Sequence, residues 1–496
     1  MKTATTPLAD AASGLPLAAP PPPLTIPRLP VAGRSVPLYR EPALTERALR
    51  EPAAPGPRYA ESFQCIGAEC EDSCCKAWDL RLDQATYERY QLIPVESLLG
   101  KVVQSSVVPL PEPRSKHWYA RILLNESLEC PFLTEEKWCG IQQTLGEEAL
   151  SHTCKTYPRI HQRTPTGKRE TTLHLSCPEA SRLVLLTEHP GSGDSVSSQI
   201  SGHISGQYIE AAYEEVAAES RRARTGKTAT AYLGEIRRFL LVLLRDRRYS
   251  VGERMFLMGT FAGRLRPLLD SPEASGNQAA MIGQLPDLLR DYCLLAGQGT
   301  LRPALGQVTS QPALQLGLTL GLVNQRLDRA LNSLRFLDVV KEFLEGVGYQ
   351  PGTPPEKLVP AFQRAEKQFY APLMKAHPWI LENYLIHAVY RTLFPFGEAR
   401  NKAASNPEHE FRSLSTHFVA IRTLLVGMAG LHGATFDTSQ VVRLVQSYSR
   451  MVDHHAEFLS AAGGLLESRN LVDAGSLAGL LLEGAGRPAI RAASMA

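Results

Sequence analysis

Residues 65–78 read CIGAECEDSCCKAW and put Cys65, Cys70, Cys74 and Cys75 into one short run. Cys130 in ECPFL, Cys139 in KWCGI, Cys154 in HTCKTYPR and Cys177 in LSCPEA follow, so eight of the nine cysteines lie between Cys65 and Cys177. Thiolates are the soft ligands that zinc and iron–sulfur clusters take, and sulfurs this close in sequence converge without a large scaffold to gather them. All eight are therefore candidate metal ligands. Several are followed at once by Pro or a small residue, which suits a tight loop that aims a sulfur inward. The paired CxxC knuckles of four-thiolate zinc sites are missing, so the spacing favours an iron–sulfur cluster, with zinc as the alternative metal. The adjacent Cys74 and Cys75 need not serve one site, and spacing alone does not choose among the eight.

Composition sets the frame around this segment. The 496 residues are 44% hydrophobic, enough to build sizeable cores in two to four domains. With 53 basic against 50 acidic residues the net charge is only +3, and the densest basic run is ESRRARTGK at 219–227. A nucleic-acid partner is not expected, since phosphate binding shows as a basic stripe with aromatic stacking positions. The N-terminal stretch has neither a charged n-region nor an unbroken apolar h-region, and nothing downstream reaches about 18 consecutive apolar residues. No membrane association and a cytoplasmic location are the expectations. In that reducing compartment a disulfide framework explains the cysteines less well than metal does.

The chain divides by character. Residues 1–56 are rich in Pro and Ala and read as a disordered leader. Residues 57–188 form the cysteine-rich module: in it DLRLDQATYERYQ predicts a short extended piece and then a helix capped by Asp83, and TTLHLS at 171–176 alternates like a strand. A Gly/Ser-rich linker or mobile loop is expected at 189–206. From 207 to 466, apolar residues at three- and four-residue spacing in GEIRRFLLVLLRDR, DRALNSLRFLDVVKEFLEG, ILENYLIHAVYRTLF and SQVVRLVQSYSRMVDHHAEFL predict a helical domain. Residues 467–496 read as a flexible tail. The fold class is thus mainly α: a cysteine-rich α+β or irregular N-terminal module followed by an all-helical bundle.

Other signatures are absent. There is no CxxxCxxC, no strand-associated GxGxxG, no GxSxG and no HExxH. The glycines of GMAGLHG at 427–433 sit in a helical pattern and are better explained by helix packing. His454 and His455 are adjacent and point about 100° apart on a helix, which argues against a shared ligand role. Cys293 in RDYCLLAG reads as a buried small hydrophobe.

Taken in order and spacing, CIGAECEDSCCKAWDLRLDQATYERY, CPFL with CGI, CKTYPR and LSCPEASR resemble the FliB-type flagellin lysine-N-methylases. The resemblance continues through ENYLIHAVYRTLFPFG, LLVGMAG and VVRLVQSYSRMVDHH, and covers about residues 57–465. One departure is Ala77 before Trp78, where relatives tend to have glycine. The resemblance implies methylation of flagellin lysine ε-amino groups, S-adenosylmethionine as methyl donor, and a [4Fe-4S] cluster held by the cysteine-rich segment. A non-catalytic metal or iron–sulfur protein with a helical interaction domain is the alternative. Three cysteines on a four-iron cluster leave an iron free to chelate the donor; four close it.

Methyl transfer to lysine needs the neutral amine, which at an unperturbed pKa of about 10.4 is roughly one molecule in two thousand at pH 7. Desolvation lowers that pKa, and a nearby carboxylate or phenol then takes the proton. Glu69, Glu71 and Asp72 lie beside the first cysteines and Tyr157 follows Cys154; of these, Tyr157, Glu69 and Asp72 are the candidate catalytic residues. Arg159 and Arg182, near Cys154 and Cys177, are candidates for binding the donor's carboxylate through a guanidinium fork.

Overall fold

Asp83 starts the first long helix: its carboxylate accepts from the Thr86 N–H at 2.9 Å, ending strand β1 (Leu80–Leu82) and opening α1 (Gln84–Gln91) as the sequence predicts. Ser97 caps α2 (Leu98–Ser106) in the same way through Gly100. The chain then runs into β2 (Val107–Pro109) and, after a turn, β3 (Ala120–Ile122). β3 lies between the other two in an antiparallel sheet, with Leu80 and Val107 both registered on Ile122. This sheet buries a small core of Leu80, Leu82, Tyr90, Val103, Ile122, Cys130, Phe132 and Ile141, among others, against which three more cysteines pack.

A computed structural model of the chain describes residues 57, 59–76, 80–112, 115–116, 118–188, 206–222, 228–269, 282–327, 333–397, 406–452, 464, 466–467 and 469–483. The leader at 1–56, Ala77, Trp78, the linker up to residue 205, residues 223–227 of the basic run, His454, His455 and the tail beyond 483 lie outside the described residues.

The second half of the module has different neighbours. Helix α3 (His152–Thr156) leads into a hairpin of β4 (Arg159–Arg163) and β5 (Arg169–Leu173), registered Arg159 on Leu173, and then into α4 (Pro178–Leu186). The predicted strand at 171–176 is therefore real but ends at Leu173. Leu173, Leu175, Cys177, Ala180, Val184 and Leu185 belong to the large core of the helical half rather than to the small one.

That half consists of α5 (Gly206–Arg222), α6 (Leu233–Arg245), α7 (Val251–Leu269), α8 (Leu285–Gly297), α9 (Pro312–Leu327), α10 (Leu334–Gly346), α11 (Pro355–Ala365), α12 (Trp379–Arg391), α13 (Pro407–His432), α14 (Thr438–Val452) and α15 (Ala474–Leu481), with shorter turns between. Gly206, read as the linker's last residue, opens α5, and the stretch 467–496 read as a flexible tail instead holds α15, capped by Asp473 and with Leu477, Leu480 and Leu481 buried. Cys293 is buried in α8, as expected of a small hydrophobe. The molecule is mainly α with a small mixed module at its N-terminal side.

Helix α13 is the axis of this half and touches α7, α9, α10, α11 and α14. By length and composition the span Pro407–Thr435 is apolar enough to cross a membrane, yet 83% of its most apolar stretch is buried against neighbouring helices. α10 crosses it where Gly346 meets Gly427 and Gly430. A Cβ on Gly346 would stand 1.8 Å from the Gly427 carbonyl oxygen, and one on Gly427 would stand 2.3 Å from the Phe343 ring. Gly427 and Gly430 of GMAGLHG thus serve helix packing, whereas Gly433, at φ +57°, ends α13. Finally, α4 lies against α12 and α14, which fastens the end of the cysteine module to the bundle.

Candidate functional site

The eight module cysteines are all free thiols, and the fold sorts them by neighbourhood. Cys75 and Cys130 are joined through the backbone: the Cys130 N–H donates to the Cys75 carbonyl at 2.7 Å, and Lys76 and Glu129 pair both as an antiparallel bridge and as an ion pair. A tight turn after Cys130, with the Leu133 N–H on the Cys130 carbonyl, returns the chain so that Leu133 pairs with Cys139. Cys154 arrives from α3, whose first turn is capped by Ser151 and held to Asp83 through the His152 N–H. Cys130 is buried in the small core, and Cys75, Cys139 and Cys154 pack against it.

Cys65, Cys70 and Cys177 lie outside that small core. Gly67 turns the loop between the first two at φ +57°, with its N–H pointing at the Cys65 sulfur at 3.4 Å. The Trp138 indole covers that turn so closely that a Cβ on Gly67 would lie 2.4 Å from the ring. Gln446 on α14 donates from its one amide nitrogen to Asp72 at 2.7 Å and to the Ser176 carbonyl at 2.8 Å, drawing the Cys70–Asp72 turn onto Cys177. Cys74, exposed, stands at the seam beside Cys75.

Charge effects follow the same grouping. Burial raises the Cys130 thiol, and Cys75, Cys154 and Cys139 add to the rise. Burial pushes Cys154 up to about 12, again with Cys75 and Cys139 contributing. Cys177 is likewise pushed up to about 12 by burial, with Cys70 and Cys65 as its sulfur neighbours. Only Cys75 is lowered, to about 7, chiefly by a hydrogen bond from Cys74 and, against burial, by Ser73, Arg450 and Lys76. Sulfurs that raise one another's pKa ionise together only around a cation.

In kind, these donors fit a thiolate-bound metal: soft, reduced and largely apolar in surroundings. In spacing they are neighbours rather than ligands: among the described residues no group of three or more His, Cys, Asp or Glu side chains is drawn together enough to hold a metal ion.

Beside the Cys70 turn is a cavity of about 460 Å³ lined by Glu71, Arg182 and Leu186 from the module and by Arg335, His432 and Arg443, among others, from the helical half. Arg182 bonds Glu71 at 2.8 Å and also Glu179; Arg335 approaches Glu71 at 3.6 Å. Across the cavity Glu342 holds both His432, at 2.9 Å, and Arg443. The walls thus carry alternating fixed charges, suited to a small zwitterionic or cationic guest.

The candidate residues scatter around this cavity. Arg182 lines it. Arg159 on β4 points away, donating to the Phe63 carbonyl at 2.9 Å and lying over the Phe63 ring. Asp72 is tied to Arg450 at 2.9 Å and to Gln446. Glu69 is exposed on the Gly67–Glu69 turn. Tyr157 bonds Ser176 at 3.1 Å, and burial raises its phenol well above 10, so it stays protonated. Sequence reasoning passed over Gln446 and Arg450, which grip the cysteine loop from α14; Arg450 also donates to the carbonyls of Ser73 and Lys76. The available signal was a polar residue inside the apolar stripe VVRLVQSYSRMV, where Gln446 is fully buried.

The family model described as the FliB lysine N-methylase C-terminal domain matches residues 237–480. The flagellar biosynthetic protein FliU of Salmonella muenchen is 36% identical over 138 residues, 28% of this chain and 79% of that protein. The lysine-N-methylases of Salmonella typhimurium (strain LT2) and Salmonella choleraesuis (strain SC-B67) are 36% identical over 138 residues, and the match spans 33% of the length of each. No solved structure matches.

Proposed function

The chain belongs to the FliB lysine N-methylase family, and on that premise we propose that it is a protein-lysine N-methyltransferase that acts on flagellin with S-adenosylmethionine as donor. The observation that carries this reading is the charged cavity where the cysteine module meets the helical half. In this scheme Arg182 and Arg335, which line the cavity, take the donor's carboxylate in a guanidinium fork. Glu71, a carboxylate already held between those two arginines, is the wall group that greets a lysine ammonium and accepts its proton once water is excluded. Tyr157, kept neutral, acts in this scheme only as a hydrogen-bond partner of Ser176.

A [4Fe-4S] cluster, when bound by the module's cysteines, supplies a structural staple or an electron-carrying centre. The reducing cytoplasm is the compartment in which these thiols stay free to hold it.

The test incubates anaerobically purified protein with flagellin and S-adenosylmethionine and weighs the flagellin peptides. One methylene's mass per methyl, located on lysine, is the expected result. The Glu71→Gln variant should lower kcat by about 100-fold while the far-ultraviolet spectrum stays unchanged. Unmodified flagellin from metal-loaded protein would overturn the proposal in favour of a non-catalytic metal protein.

A further inference from the structure

We propose that Glu71 is a built-in placeholder for the donor's carboxylate: in the empty cavity it fills the place between Arg182 and Arg335, and the donor displaces it on binding. This rests on the reading that those two arginines take the donor's carboxylate, and it adds how their place is kept and cleared.

The first observation is geometric. Arg182 comes from α4 of the module and Arg335 from α10 of the helical half, and both approach one atom, the Glu71 Oε1, at 2.8 Å and 3.6 Å. Only the shorter contact is a hydrogen bond. The buried Nε of Arg335 has no hydrogen-bond partner among the described residues. Arg335 therefore keeps guanidinium donors to spare for a better-placed carboxylate.

The second observation separates the two carboxylates at the cavity. Glu342 stands within α10 and ties it to His432 of α13 and Arg443 of α14, so its release would loosen three helices. Glu71 sits in a turn, outside helix and strand, with its side chain held by arginines. Its neighbour Asp72 is fixed to Arg450 at 2.9 Å and to Gln446 at 2.7 Å, so Glu71 can swing out while the loop keeps its anchor. Arg182 also stays in place, since Glu179 on its own helix holds its other terminal nitrogen.

Electrostatics supplies the reason for a placeholder. Burial works against the charge of Arg335; Glu71 and then Asp72 offset it, and Arg443 adds repulsion. An anion is needed beside this guanidinium in the empty cavity as much as in the filled one. Two carboxylates at the same pair of arginines repel each other, so the donor's arrival drives Glu71 off and leaves it free to meet the lysine ammonium.

Calorimetry on the anaerobically purified full chain, unaltered and as Glu71→Gln, measures affinity for S-adenosylmethionine and for its decarboxylated analogue. The donor carries one carboxylate against an ammonium and a sulfonium, so the plain loss of a wall carboxylate weakens it. A placeholder predicts the opposite: Glu71→Gln should bind S-adenosylmethionine about fivefold tighter and the decarboxylated analogue no tighter. Equal or weaker binding of S-adenosylmethionine by Glu71→Gln overturns the proposal, as does tightening of both ligands alike.

A variant that fails to fold is bypassed by hydrogen exchange on the unaltered chain. S-adenosylmethionine should speed exchange of the amides of residues 70–72 by about threefold and the decarboxylated analogue should not, whereas slowed or unchanged exchange overturns the proposal. Neither measurement needs methyl transfer. Failure of the donor to bind either chain removes the reading of the cavity itself; binding to both without the gain removes the placeholder alone.

Discussion

His387, on α12, has its Nδ1 2.7 Å from the Tyr59 hydroxyl and is only 4% exposed. Burial, helped by the charge of Arg391, lowers its pKa to about 3. Above about pH 6.5 the imidazole is neutral whether the chain is folded or not. Below that, the unfolded chain takes up a proton that the folded one refuses until about 3, so stability falls with pH by up to about 1.4 kcal/mol per unit. The full benefit is present above about 6.5. Melting temperature measured from pH 7 to 4 should therefore fall more steeply for the unaltered protein than for His387→Gln; parallel curves would remove His387 as the cause. Single residues also show where sequence reading stops. The Asp83 cap was legible because its partner is three positions away, whereas the engagement of Asp72 by Arg450 and Gln446 was not, because those partners lie on α14, far along the chain.

At the scale of elements, the crossing of α10 and α13 depends on having no side chain at the contact. The nearest atoms to an added Cβ at Gly346 are the backbone of Gly427, which cannot swing aside like a flexible side chain. Gly346→Val should force the helices apart and cost about 1–3 kcal/mol, seen as a lower midpoint in denaturant with little change in slope. Unchanged stability would mean that the pair is not so closely packed. The helices themselves were readable. Apolar residues recur at helical spacing in α6, α10, α12 and α14; in α10 burial selects that stripe, whereas α12 is buried on every face from Ile380 to Tyr390. What periodicity does not encode is which stripe faces which. The small core reaches to Cys154, while the large one takes Tyr59, Ala60 and Phe63 before it and resumes at Leu173, although the composition changes only at the Gly/Ser-rich stretch after residue 188.

For the whole molecule, the join between module and bundle decides whether a site exists at all. Arg450 spans it, bonding Asp72 and the carbonyls of Ser73 and Lys76. Arg450→Ala should leave the bundle folded, free residues 70–76 to exchange amide hydrogen at least tenfold faster, and weaken metal retention by the cysteine loop. Protection of 70–76 equal to that of the unaltered chain would place the anchoring elsewhere. The amino-acid sequence by itself determined that thiols crowd the first half and that amphipathic helices build the second, since composition, capping and periodicity act over a few residues. Only the tertiary structure decided which sulfurs are neighbours, on which side of the Cys74–Cys75 peptide they fall, and that a charged cavity opens beside them. Those relations join residues that are distant in the chain, and the burial of two separate cores is what brings them together.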